Sequence, residues 1–230
     1  MKHLYLLVIL FIVSFGIKAQ TTTKPEPPDM KRIETEIRDY NSEFYYPRLM
    51  KRYLKNDTTL TLNEFRHLYY GYSFQEGYNP YRISPHTQAL ANDMYSHKEH
   101  SISDCDSIAK YAILALDDFP FDLRQMNFLI YALNHKNMES LAAVWKYKLR
   151  NTINAILSTG DGNSPETAWW VIYPTHEYDI VNHLGYTGSD YNFVEPTYDY
   201  LELEKNPLKT KGFYFNVSRI LEEYNRKYKE

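Results

Sequence analysis

The chain has a single cysteine, Cys105, in 230 residues, so it cannot close an internal disulfide. Stability must come from a buried core, and the roughly 210 residues beyond the first nineteen are enough to build one. A strongly basic segment is also missing. The formal charge is −3, and losing Lys2 and Lys18 with the first nineteen residues lowers it to −5. Nucleic-acid backbones require clustered Lys and Arg, so no nucleic-acid partner is expected. After Phe15 no run is apolar enough to reach the roughly twenty residues of a spanning helix. Gly-x-Ser-x-Gly, phosphate-loop, dinucleotide and His-Glu-x-x-His patterns are all missing. The sequence thus names no reaction, and no cofactor and no metal is expected.

What is present begins with Met1-Lys2-His3, a basic start. Leu4 to Phe15 is uncharged, and Gly16-Ile17-Lys18-Ala19 ends on a small residue before Gln20. Basic start, apolar stretch and small residue at the cut read as an export signal cleaved between Ala19 and Gln20. The alternative is a short membrane anchor, which no stop-transfer pattern supports. With no cysteine near the cut, lipid attachment there is excluded. The expected location is periplasmic or secreted, with no stable membrane anchor after cleavage.

Gln20 to Asp29 is polar, holds three prolines and is expected to be a disordered tether. Residues 30–230 are then expected to form one α+β domain, helical over 30–159 and sheet-containing over 160–230. Ile33, Ile37 and Tyr40 share a helix face, and a short helix is expected over Arg48 to Leu54. Thr61 and Glu64 have the form of a capping box for a helix holding Phe65, Leu68, Tyr69 and Tyr72. Four helices follow: His86 to His97, one capped by Ser103 and running to Asp117, one capped by Asp122, and Met138 to Ser158. Ala168 to Tyr173 reads as a strand, Thr175 to Leu184 as a helix capped by Thr175 and closed by Gly185. Tyr198 to Leu203 and Phe213 to Val217 alternate as a hairpin pair, and Arg219 to Tyr228 is a last helix with Glu222/Arg226 and Glu223/Lys227 in stabilising order. The expected fold is an N-terminal helical layer with a C-terminal three-stranded antiparallel sheet and two short helices.

Two resemblances attach to these segments. Ala115-Leu116-Asp117-Asp118-Phe119-Pro120 looks like the close of a tetratricopeptide repeat, and Met126, Leu129, Leu133 and Ala142 fall where a following repeat would pack. Ile130 and Asn137 stand where that repeat favours glycine. The helical layer is therefore expected to be tetratricopeptide-like. Asp57-Thr58-Thr59-Leu60-Thr61 leading to Leu68-Tyr69-Tyr70-Gly71-Tyr72, then Thr159-Gly160-Asp161-Gly162-Asn163-Ser164-Pro165-Glu166-Thr167-Ala168, then Gly212-Phe213-Tyr214-Phe215-Asn216-Val217, together resemble the exported bacterial family of domain of unknown function 4919, common in Bacteroides-type bacteria. That resemblance implies an envelope or secreted location in a Gram-negative cell and implies no activity.

Candidate ligand-contacting residues cluster between Gly160 and Glu177. Asp161, Asn163 and Glu166 carry oxygens suited to Ca²⁺, but a full calcium loop needs more acids in fixed order, and turn chemistry explains the segment equally. His176, Asp179 and His183 share a helix face, which suits Zn²⁺, yet a helix start explains them as well. His97 and His100 flank a helix end, where imidazole complements the dipole. Cys105, between Asp104 and Asp106, reads as a buried small side chain rather than a reactive thiol. Trp169 and Trp170 must face opposite sides of a strand, so an exposed one is a first choice for ligand contact. Tyrosine is abundant, at 23 residues, and suits both packing and interfaces.

Three readings remain. The leading one is a non-catalytic envelope module that binds an unknown envelope protein or a glycan. The second is an envelope hydrolase with a site near Gly160–Glu177, and the third is a structural or stress-related accessory domain. Convergence of Asp161, Glu166, His176 and Glu177 in one cleft with buried carboxylates favours the enzyme, whereas scatter with an exposed aromatic groove between helices favours binding.

Overall fold

Asp29 begins the first helix by accepting the Arg32 amide at 2.9 Å. In the computed structural model, which describes residues 24–87, 90 and 99–228, this helix, α1, spans Met30–Arg38 and buries Ile33 and Ile37. Pro47 opens α2, Tyr46–Leu54, where a missing N–H costs nothing. The Thr61–Glu64 capping box starts α3, Leu62–Tyr72, as expected. A Cβ on Gly71 would lie 3.1 Å from Ile37 and 3.2 Å from Tyr46, so α3 passes close to its neighbours there.

The helix α4 covers Ile102–Asp118, and its cap is Ser101, paired with Asp104, rather than Ser103. Both serines stand three residues before an aspartate, and the earlier one wins. Asp122 caps α5, Leu123–His135, and α6 covers Glu139–Leu157. In the helical layer α4 packs on α5, α5 on α6, α6 on α3, and α3 on α1 and α2. The helix expected over His86 to His97 lies largely outside the described residues, as do residues 1–23 and the cut at Ala19 and Gln20. Residues 24–29, the end of the expected tether, lie against this layer: Pro28 is buried, and the Glu26 amide donates to Ser158 at 2.9 Å.

The architecture is α+β, with helices first and strands last. Its sheet has four strands in the order β1-β4-β3-β2, not three, and it is mixed. β1, Trp169–Trp170, runs parallel to β4, Gly212–Asn216. β4 and β3, Tyr198–Leu203, form the expected antiparallel pair. The unexpected strand is β2, Gly188–Val194, at the sheet edge beside β3. Its Gly, Ser, Asp and Asn look like turn residues, which hid the Tyr191/Phe193 alternation. Between β1 and β2 lies α7, Thr175–His183, and after β4 comes α8, Ser218–Tyr228. Thr175 is the first residue of α7 and makes no cap; Pro174 precedes it.

The register divides the sheet into two faces. Leu201 lies opposite Phe213 and Tyr191, and Asp199 lies opposite Phe215 and Phe193. That face is inward, with Leu201, Phe213, Phe215 and Trp169 buried. Tyr200 lies opposite Tyr214 on the other face, with ring centroids 4.7 Å apart. Trp169 packs on Phe213 and Phe215 and donates its indole N–H to Gly160 at 3.0 Å. Among the described residues no helix is long and apolar enough to cross a membrane.

The turn after α6 allows no side chain at Gly160, where a Cβ would fall 1.9 Å from the Thr167 carbonyl oxygen. Gly160→Ala should lower stability by about 1–3 kcal/mol, or about 3–10 °C in Tm. Gly77→Ala, with nothing within 4 Å of the new methyl, should leave Tm within about 1 °C. Thermal unfolding followed by circular dichroism measures both.

Candidate functional site

β1 ends after Trp170, and the chain turns into α7 through Val171 to Pro174. Tyrosines hold that turn. Tyr70 donates to the Trp170 carbonyl at 3.1 Å, Tyr78 donates to the Ile172 carbonyl at 2.7 Å, and the Ile172 amide donates to the Tyr69 hydroxyl at 3.2 Å. Tyr69 also meets Nδ1 of His176 at 2.7 Å. The first turn of α7 is thereby anchored to α3.

His176 and Glu177 are adjacent on α7 and diverge. His176 is fully buried between the helices, stacked near Phe119 with centroids 5.7 Å apart. Burial pushes its imidazole down to about 3, against a smaller opposing effect of the Phe121 backbone. Nε2 nonetheless has no partner of hydrogen-bonding geometry among the described residues. One turn on, Asp179 lies 3.5 Å from Arg124 of α5. Burial pushes its carboxyl up to about 7, with Arg124 pulling the other way.

Glu177 points to the sheet side. It is 3 % exposed and lines a cavity of about 450 Å³ with Tyr81, Pro174, Tyr178, Tyr191, Phe193, Asp199, Val217, Ile220 and Leu221. Burial raises the Glu177 carboxyl well above its ordinary range, and the nearby Asp199 charge adds to this. Burial also raises Asp199, and its hydrogen bond with Glu177 offsets part of that rise. Two carboxyls thus meet at the cavity wall, each holding its proton more tightly than usual. At the rim Tyr191 is 57 % and Phe193 47 % exposed. A larger depression of about 590 Å³ lies along Glu202 to Lys211; it holds no buried ionisable group, so the smaller cavity is the better candidate.

The other residues marked in the sequence lie elsewhere. Asp161 accepts the Asn163 amide at 3.0 Å and the Thr167 hydroxyl at 2.6 Å, which holds its carboxyl below the usual range. Glu166 is exposed on the short 3₁₀ turn Pro165–Thr167. These are turn contacts, and neither residue lines the cavity. Neither tryptophan is exposed: Trp169 is buried, and Trp170 is half-buried on the opposite sheet face. An exposed Trp as ligand contact is thus corrected, because β1 is covered on both sides. His183 is exposed at the far end of α7 from buried His176. Among the described residues no group of three or more His, Cys, Asp or Glu is placed to hold a metal. Cys105 is buried, with burial and then its flanking aspartates raising the thiol.

Of the six candidates, Glu177 alone reaches the cavity, and Asp199, Tyr178, Tyr191 and Phe193 were missed. One signal was available. In the alternating stretch Tyr198–Leu203, Asp199 shares parity with Leu201 and Leu203, so a charge stands on the apolar face. A match to the family described as a domain of unknown function (DUF4919) spans residues 31–226. No curated protein and no solved structure matches the chain.

Two stability predictions follow from the α3–α7 junction. Tyr69→Phe removes the partner of His176 Nδ1 and the acceptor of the Ile172 amide, and should cost about 2–5 kcal/mol. Chemical denaturation measures it, and a loss below about 1 kcal/mol would sink the anchoring role. For Asp179 the folded pKa of about 7 lies above an unfolded value of about 3.9. The folded state then holds a proton that the unfolded state has lost, so stability falls as pH rises from about 4 through 7. Asn cannot ionise. The Tm advantage of Asp179→Asn over the parent should widen between pH 4.5 and pH 8, and a constant difference would refute it.

Proposed function

The chain belongs to the family described as a domain of unknown function (DUF4919), and from that premise we propose that it is an exported, non-catalytic binding protein whose ligand occupies the cavity between α7, β2 and α8. The single observation that carries this reading is the composition of that cavity: exposed Tyr and Phe rings around buried Glu177 and half-buried Asp199. Pockets that are mostly apolar, with a few convergent polar groups, are the usual form of ligand sites. The scatter of Asp161, Glu166 and His176 supports binding over a reaction centred on Gly160–Glu177. The basic start, apolar stretch and small Ala19 support export to the periplasm or beyond, with cleavage before Gln20. Resemblance to exported Bacteroides-type proteins supports the same compartment. The successive packing of α4 on α5 and α5 on α6 supports a tetratricopeptide-like layer, which serves here as a frame for α7. The partner is an envelope glycan or an envelope protein.

A hydrolase is the second reading, favoured by one observation. Glu177 and Asp199 bring two carboxyls to one cavity, and paired carboxyls are the groups that acid–base catalysis uses.

NMR titration of residues 20–230 with peptidoglycan fragments, cellobiose and chitobiose tests the leading reading. Shifts should gather at Tyr81, Tyr191 and Phe193. Phe193→Ala should weaken binding about tenfold, as loss of an aromatic contact does, while Tm stays within about 2 °C because the ring is half-exposed. Product formation from any of these glycans would establish the hydrolase instead.

A further inference from the structure

We propose that the cavity between α7, β2 and α8 binds a small, fully alkylated organic ammonium cation. The inference rests on the binding reading above and names the ligand class for the same site. Its first support is the acidic wall. Glu177 and Asp199 bring two carboxyls to the cavity, and among the described residues no Lys, Arg or His lines it. Tyr178 adds the influence of a further acid, Asp190. A cationic ligand would bring these acids the opposite charge that the cavity lining lacks.

The second support is the ring content. Tyr81, Tyr178, Tyr191 and Phe193 line the same cavity. Aromatic rings grouped about a charge-bearing site are the chemistry that receives quaternary ammonium groups. The third is donor count. A primary ammonium must place three N–H donors, whereas most of this lining is ring and aliphatic carbon. A cation without N–H groups leaves no donor unpaired there. The volume of about 450 Å³ falls in the range of small-molecule sites, which points to a free cation rather than a protein side chain.

Calorimetry at constant ionic strength with choline, and with its neutral carbon isostere 3,3-dimethylbutan-1-ol, tests the proposal. Choline should bind saturably and at least tenfold more tightly than the isostere, with NMR shifts at Tyr191 and Phe193. The double variant Glu177→Gln/Asp199→Asn should remove that preference, and the half-exposed Phe193→Ala should weaken choline without unfolding the protein. Equal binding of choline and isostere would overturn the cation while leaving the cavity as a binding site. No binding of either, with glycan shifts at the same residues, would do likewise. No binding of choline, isostere or glycan would remove both readings. A trimethyllysine peptide binding more tightly than choline would overturn the free-cation assignment.

Discussion

Where the chain leaves the sheet after Trp170, three backbone groups need partners that a strand would otherwise supply. Tyr70 takes the Trp170 carbonyl, Tyr78 the Ile172 carbonyl, and Tyr69 the Ile172 amide. All three tyrosines are buried, as is most of the segment they hold. A buried backbone group left unpaired costs about 1–3 kcal/mol, so the turn is tenable only with these hydroxyls in place. Phenylalanine would fill the same space and leave the turn unsatisfied. The abundance of tyrosine thus has a physical cause here. The rings supply the core, and the hydroxyls bridge the helical layer to irregular backbone that no sheet reaches.

Because that turn is held from the α3 side, the start of α7 has a defined orientation. Adjacent helical residues point about 100° apart, so fixing His176 against Tyr69 aims Glu177 toward the sheet. The two faces of α7 then differ in kind. On one side a neutral imidazole is locked among rings, and its depressed pKa follows from burial. On the other a carboxyl meets Asp199 across a cavity that solvent can reach. From the helical region the loop residue Tyr81 reaches the cavity wall. The helical layer's part is to set the angle at which α7 presents Glu177.

Much of this was legible from residues alone. The Thr61–Glu64 box, the Asp122 cap, the Gly185 stop and the alternation in Tyr198–Leu203 and Phe213–Val217 each have a local cause that acts whatever surrounds it. Other features depend on partners distant in sequence. β2 is a strand because β3 lies beside it, and its own Gly188, Ser189 and Asp190 argue for a turn. β1 pairs parallel to β4 across more than forty residues, a relation no local pattern encodes. Ser101 and Ser103 offer equivalent caps, and only packing chooses between them. The site was hidden for a related reason. Asp161, Glu166, His176 and Glu177 are close in sequence, but the acid pair joins Glu177 to Asp199, a residue on another element.

The position of Asp199 bears most directly on function. It stands between Phe193 and Phe215 on the apolar face of the sheet, where a Val or Leu would pack without a desolvation cost. Replacing buried charged groups with well-packed apolar ones is often neutral or stabilising, so the pair is not explained by stability. Nor is it explained as an ion pair, since both members are acids. Two carboxyls whose proton affinity burial has raised oppose folding at the pH where both would ionise. The feature opens onto solvent and is ringed by exposed aromatics, and on the proposed binding reading its sign restricts the ligand: whatever enters must tolerate an acidic wall, and gains most if it carries the opposite charge.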